Sequence, residues 1–191
     1  LISAYHNNSI QGLGFVSPDK LQNIKFSQRI NIRQIKLPRY FAAFLNQNKS
    51  KLLADKNIRL ALNYGANKSE LVEKVLKDKG LTINSPLLKE FNENNSPAGG
   101  PKFKFDKEFA KQILENSNWK DPDGNGTREK DHNELTLKIT TSNSPELIKT
   151  ADLLKKQWEE LGFKIETKVE TLAEIQFTIQ NRDYEILLFG E

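Results

Sequence analysis

Apolar and polar positions alternate most clearly in the last third of the chain. In Leu135-Thr136-Leu137-Lys138-Ile139-Thr140 every second side chain is apolar, the period of a half-buried strand, and this predicts a strand over 135–141. The period then lengthens. Leu147, Ile148, Ala151, Leu154, Trp158 and Leu161 recur three or four residues apart and form one stripe of a helix over 145–161. Pro145 sits in the first turn, where its missing N–H is harmless, and Gly162 ends the helix. Phe163–Val169 alternates again, Leu172–Gln180 fits a shorter helix, and Tyr184–Phe189 reads as a buried strand. Strand, helix, strand, helix, strand with short joins is the pattern of βαβ units on a shared sheet.

The first two thirds are less regular. Ile30–Ile35 alternates and predicts a strand near 31–36, and the apolar-aromatic run from Tyr40 to Leu45 predicts a second, more buried strand over 40–46. Residues 1–29 form a lead-in of uncertain structure, with a short helix around Ser3–Ser9, a turn at Gly12–Gly14 and a second short helix after Ser17-Pro18. From Asp55, the residues Ile58, Leu60, Ala61, Leu62 and Tyr64 fit a helix ending near Gly65. Asn67 and Glu70 have capping-box spacing and open a helix closed by Gly80. Three prolines, two glycines and four asparagines make 84–101 an irregular loop, after which Asp106 caps a helix carrying Phe109, Ala110, Ile113 and Leu114. The expected fold is α/β: a mixed, largely parallel sheet with helices on its faces, forming a single lobe over 1–191.

Charge and composition narrow the function. The net charge of +4 comes from 29 Lys+Arg and 25 Asp+Glu scattered in both signs along the chain. A nucleic-acid surface would gather its basic residues on one face, so the charge reads as solvation and no nucleic-acid partner is expected. The absence of Cys excludes disulfides, thiol catalysis and Cys-ligated metal sites. No apolar run approaches the ~18 residues of a membrane span. The chain starts at Leu1 and contains no Met, which suggests a processed or excised piece.

Catalytic chemistry is hard to find. His6 and His132 stand in polar segments with no nucleophile elbow or His-Glu-x-x-His spacing nearby. Glu159-Glu160 lies on the solvent side of the long helix, without the burial that shifts a carboxyl pKa. Gly12-Leu13-Gly14 and Gly99-Gly100 lack the spacing of phosphate loops and read as turns. Asp121-Pro122-Asp123-Gly124-Asn125-Gly126-Thr127-Arg128-Glu129 resembles the first half of a calcium loop, with oxygen ligands at alternate positions and Gly at the sixth. The twelfth position is His132, which cannot supply the two oxygens of a bidentate Glu. The plainer reading is a turn-rich loop before the strand at Leu135, with no metal and no cofactor, and the chain is not expected to be an enzyme.

Several segments, in order, resemble the family 5 extracellular solute-binding proteins, the oligopeptide- and dipeptide-binding components of ABC importers. An aromatic strand ending in Asn (Tyr40–Asn46) precedes Asp55-Lys56-Asn57-Ile58-Arg59-Leu60-Ala61-Leu62. A helix over Asn67–Val75, Gly80 and Ser85-Pro86 follow. Then come Phe105-Asp106 with Ala110-Lys111 and Leu114-Glu115, Trp119, and Asp123-Gly124-Asn125-Gly126. The strand over Leu135–Thr141, the helix ending in Leu161-Gly162 and the Tyr184-Glu185 strand closing on Gly190 complete the match. It covers about residues 30–190. Many relatives carry Trp after the final Gly, then an Asp that pairs with the peptide's amino terminus; here Glu191 holds the Trp position.

The resemblance implies the second lobe of a two-lobed binding protein that closes on an oligopeptide by hinge motion, with strand-like backbone hydrogen bonds. It implies three partners: the peptide, a membrane-embedded ABC permease and the missing first lobe of the same protein. The location would be extracellular or periplasmic, with a membrane anchor in the full-length protein. The last strand would offer a free edge through Leu188 and Gly190, and Phe44, Glu146 with its Ser142–Ser144 loop, Leu172 and Gln176 would line the cleft. Ordinary core roles stay open for Phe44 and Leu172. So do three other functions: a stand-alone protein-interaction module, an importer component for a nickel complex, sugar or other solute, and a hydrolase whose catalytic pair the sequence does not reveal.

Overall fold

The computed structural model describes residues 2–14, 16, 32–33, 39–84 and 103–190. The helix expected after Ser17-Pro18, most of the strand near 31–36 and nearly all of the 84–101 loop lie outside the described residues. In chain order the elements are α1 (Ile2–His6), β1 (Phe41–Leu45), α2 (Lys51–Ala54), α3 (Lys56–Tyr64), α4 (Lys68–Leu76), α5 (Lys107–Asn116), β2 (Glu129–Lys130), β3 (Asn133–Glu134), β4 (Thr136–Ser142), α6 (Pro145–Glu159), β5 (Lys164–Glu170), α7 (Leu172–Asn181) and β6 (Ile186–Gly190).

Four strands form one sheet in the order β1-β6-β4-β5. β4 runs parallel to both β5 and β6, and β1 is antiparallel to β6, so the sheet is mixed and largely parallel as expected. Two expectations are corrected by this order. The 40–46 strand is only half-buried: among the described residues β1 has a single neighbour, and Phe41 and Phe44 are 44% and 41% exposed. The last strand is not a free edge either, because β6 lies between β1 and β4.

Strand pleating sends alternate side chains to opposite faces. One face carries Leu137, Ile139, Ile165, Ile186 and Leu188 into a cluster shared with Leu147, Ala151, Leu154 and Trp158 of α6, Ile58, Ala61 and Leu62 of α3, and Ala110 and Leu114 of α5. The other face carries Thr140, Ser142, Leu187 and Glu170, and among the described residues it packs mainly against α7, through Ile175 and Thr178. The core is therefore lopsided, thick on the α6 side and thin on the α7 side.

The segments that carry the family resemblance have structural reasons. Asn46 Oδ1 accepts the backbone N–H groups of Asn48 and Lys49, and its Nδ2 donates to Arg182 O at the end of α7. Asp55 accepts Asn57 N–H and caps α3. Arg59 Nη1 donates to Leu53 O and Ala54 O, satisfying the last carbonyls of α2. Asp106 caps α5 by accepting Phe109 N–H, as expected.

Other ends differ from the expected pattern. Asn67 caps α4, yet Glu70 does not reach back; Gln157 Oε1 of α6 accepts Asn67 N–H instead, and Gln157 Nε2 donates to Glu70. The closed capping box is at Thr171-Glu174. Helix α4 ends not at Gly80 but at Lys77, which takes the left-handed conformation.

Candidate functional site

Three parallel strands joined by two helices give this sheet a defined functional end. From β4 the chain goes through α6 to β5 on one side; from β5 it returns through α7, across β4, to β6 on the other side. In open α/β sheets, ligands bind outside the carboxyl ends of the strands at the point where the order reverses. Here that point lies between β4 and β6. Their ladder stops at Thr141↔Leu188, while β4 and β5 stay paired to Ser142↔Glu170. Phe189 and Gly190 are thus paired only with β1.

The last shared row is locked from inside. Thr141 Oγ1 donates to Leu188 O at 2.9 Å with both residues buried. Across the neighbouring pair, Asn143 N donates to Glu170 O at 2.9 Å and turns the chain toward α6.

Two helix N-termini flank this end, and they differ. Ser144 is the N-cap of α6 but makes no capping bond; its hydroxyl donates to Glu146 Oε2 at 3.0 Å and holds that carboxylate beside the helix start. The N-terminus of α7 is closed, since Glu174 Oε2 accepts both the N–H and the hydroxyl of Thr171 at 2.7 Å. Those two donors, the backbone N–H first, hold the Glu174 carboxyl below its usual range.

The structure separates the expected site residues into two groups. Glu146, Leu172 and Gly190 stand at the carboxyl end, with Gln176 one turn along α7. Leu172 is 62% exposed, and Gln176 is exposed. Leu188 reaches this end by backbone only, because its side chain is 2% exposed in the core. Phe44 stands apart: it pairs with Leu187, three rows back from Gly190, on the face that carries α7. The aromatic residue paired with Gly190 at the carboxyl end is Phe41, which was missed from sequence; Phe189 stands one row back, opposite Ala42. A Cβ on Gly190 would come within 2.7 Å of both Phe41 Cε1 and Tyr40 O, so the ring rests on bare backbone. Only the antiparallel register reveals this contact; the string Tyr-Phe-Ala-Ala-Phe does not say which Phe faces Gly190.

Other chemistry lies elsewhere. One surface dip is lined by Leu45, Asn46, Gln47, Asn48, Arg182 and Tyr184, at the opposite end of the sheet. A second lies where α4, α6 and the start of α5 meet, among Glu70, Lys74, Lys107, Lys156, Gln157 and Glu160. The carboxyls of Glu70, Glu134 and Asp183 are held low, in each case first by a hydrogen bond from a lysine (Lys74, Lys164 and Lys49), at exposed positions remote from a general acid's environment.

The Asp121–Glu129 loop turns its oxygens inward. Asp121 accepts Asn125 N–H and Gly126 N–H, Asp123 accepts Asn125 N–H, and Asn125 Oδ1 accepts Thr127 N–H. His132 sits with Asp131 at positive φ in the β2–β3 hairpin turn, where the chain reverses instead of presenting a ligand. Among the described residues, no group of three or more His, Asp or Glu side chains is arranged to hold a metal, and no helix is long and apolar enough to cross a membrane.

Comparison with known proteins gives the same architecture. Oligopeptide-binding protein AppA of Bacillus subtilis is 25% identical over 148 residues, covering 74% of this chain and 27% of AppA. The chain thus spans about a quarter of that relative's length. The structure of NikZ from Campylobacter jejuni, in complex with Ni(L-His), superposes over 98% of this chain and 36% of its own, with a TM-score of 0.81 and 23% identity. Lactococcal OppA, complexed with an endogenous peptide in the closed conformation, superposes over 100% of this chain and 39% of its own, with a TM-score of 0.80 and 20% identity. The profile of the bacterial extracellular solute-binding proteins, family 5 Middle, matches residues 2–190, and the chain belongs to that family.

Proposed function

We propose that this lobe forms one wall of the ligand cleft in the solute-binding component of an ABC importer, working outside the cytoplasmic membrane and delivering an oligopeptide to a membrane-embedded permease. The observation that carries the reading is the open carboxyl end between β4 and β6. It offers the half-buried backbone of Phe189 and Gly190 beyond the last β4 pair, the start of α6 with Glu146, and the exposed Leu172 and Gln176 of α7. Main-chain groups beside roomy, weakly specific side chains suit a ligand recognised by its peptide backbone. The sequence relatives named for oligopeptide binding support peptide over other solutes. Such a wall captures and releases; it performs no bond chemistry. The ligand touches Glu146, Leu172, Gln176 and the backbone of Phe189 and Gly190 from this side, while Leu188, buried and paired with both β1 and β4, supports that end from behind. Phe44 lines the cleft only if the ligand extends around the β1 edge.

The other lobe, in the same protein, supplies the rest of the contacts. A single lobe must hold the ligand with part of the interactions while its hydrogen bonds compete with water, each contributing only ~0.5–1.5 kcal/mol net. The expected result is binding in the millimolar range or weaker by this lobe, and far tighter binding by the full-length protein. Calorimetry of both against one peptide pool tests it. Tight binding by the lobe alone would sink the shared-cleft reading. A full-length protein that ignores peptides and takes up a nickel chelate or an oligosaccharide would sink the peptide assignment.

A further inference from the structure

Helix α7 carries Leu172 and Gln176, yet it is thinly anchored. Of its ten residues only Ile175 and Thr178 are buried, while Leu172 and Phe177 are 62% and 68% exposed. By contrast α6 buries Leu147, Ala151, Leu154 and Trp158. One apolar contact fixes a helix's distance from a sheet but leaves its rotation and slide soft. The Asn46 bond to Arg182 O ties down only the C-terminal end of the helix, and the half-buried Ile179 adds no direction. A directional bond from within the helix is needed to set them.

That bond comes from Glu170, the last residue of β5. Glu170 is 4% exposed, and its Oε1 accepts the Thr178 hydroxyl at 3.1 Å and pairs with Lys168 Nζ at 2.7 Å. Among the described residues its Oε2 is buried with no partner, and Ser142, facing it across the β4–β5 pair, makes no bond to it. A half-satisfied buried carboxylate is poor for stability; apolar residues of similar volume at such sites are often neutral or stabilising. Stability alone therefore does not account for Glu170.

We propose that Glu170 is a positioning residue that, through Thr178, sets the rotation and height of α7 and so places Leu172 and Gln176 at the ligand-binding end. This inference rests on the peptide-binding reading given above. Glu170 does not touch the ligand; it acts through the helix, as the polar peg that the single apolar anchor at Ile175 lacks. Lys168, mostly exposed, balances its charge from the solvent side.

The test uses the full-length protein. The paired change Glu170→Met with Thr178→Val removes the peg without leaving a buried polar atom unpaired. The expected result is a split: Tm unchanged or higher, with peptide affinity lower by about tenfold, the size of an ordinary coupling effect. Thr178→Ser keeps the hydroxyl and should bind like the parent. A paired variant that binds as tightly as the parent overturns the proposal. So does one whose affinity falls only in step with Tm, since that is a purely structural role. If the parent itself binds no peptide, the peptide reading fails instead, and hydrogen exchange across 172–181 still decides the positioning role: exchange must quicken in the paired variant and not in Thr178→Ser.

Discussion

Replacing Gly162 by Ala places a methyl group where the structure has none to spare. Gly162 has φ +97°, a conformation that costs a non-glycine residue about 1–3 kcal/mol. Its Cβ would stand 2.5 Å from Arg128 Cγ and 2.9 Å from Cδ. Those atoms are the middle of a side chain tied at its end. Arg128 Nε donates to Leu161 O at 2.9 Å, and Nη1 donates to Trp119 O at 2.6 Å and to Glu115 at 2.7 Å. Moving the stem breaks at least one of these charged bonds, each contributing about 1.5–3 kcal/mol. The expected loss is about 2.5–6 kcal/mol, adding the strain and bond figures. Urea unfolding followed by tryptophan emission reads it directly, because both tryptophans are buried: Trp119 supplies one of the carbonyls and Trp158 packs in the same core. The pairing can be isolated on an Arg128→Ala background, where Gly162→Ala should cost only the backbone part, about 1–3 kcal/mol. A loss below about 1 kcal/mol in the single variant, or strict additivity in the cycle, would refute the clash.

Three further outcomes follow from the same structure. Leu154→Ala should cost about 2–5 kcal/mol in denaturant unfolding, since Leu154 is 4% exposed in the main core; a cost under 1 kcal/mol would mean α6 is not packed as described. Millimolar calcium should barely move Tm, because the Asp121 and Asp123 oxygens already accept their own loop's N–H groups; a clear rise abolished by Asp123→Ala would overturn this. Glu70, Glu134, Glu174 and Asp183 all have lowered carboxyl pKa values, so the unfolded chain takes up protons first. Their stabilisation is present above the ordinary carboxylate range, about pH 4, and is lost as the pH falls through and below it. Added salt should shrink the lysine-paired contributions of Glu70, Glu134 and Asp183 more than that of Glu174, which is held by Thr171, and Tm measured from pH 6 to 3 at low and high salt checks it.

The elements of the C-terminal third were legible because each has one clean period. The alternation of Leu135–Thr140 and the stripe from Leu147 to Trp158 match β4 and α6 within two residues at each end. Burial of β1 was misjudged because Phe and Ala look alike as core or as edge until a neighbour is assigned. The β2–β3 hairpin went unseen: two-residue strands have no period, and its turn uses Asp131 and His132 where Asn-Gly would have signalled it. Site residues were the least legible. The recurring residues that reveal the family, Asn46, Asp55, Arg59 and Asp106, satisfy helix ends and strand turns far from the ligand end. They report the scaffold and are silent about the solute. Phe41 and Glu170 matter through register and pairing across the sheet, which no local window contains.

The contact of Phe41 with the bare Cα of Gly190 limits how this protein can diversify. Every other amino acid at 190 would unseat the ring, so mutation cannot use that position to alter ligand preference. On the proposed reading, changes of preference fall to Leu172 and Gln176, whose exposed side chains can vary without disturbing a neighbour's fit. A library that randomises those positions and leaves Gly190 fixed keeps the Phe41 seat intact while sampling new side chains at the proposed cleft.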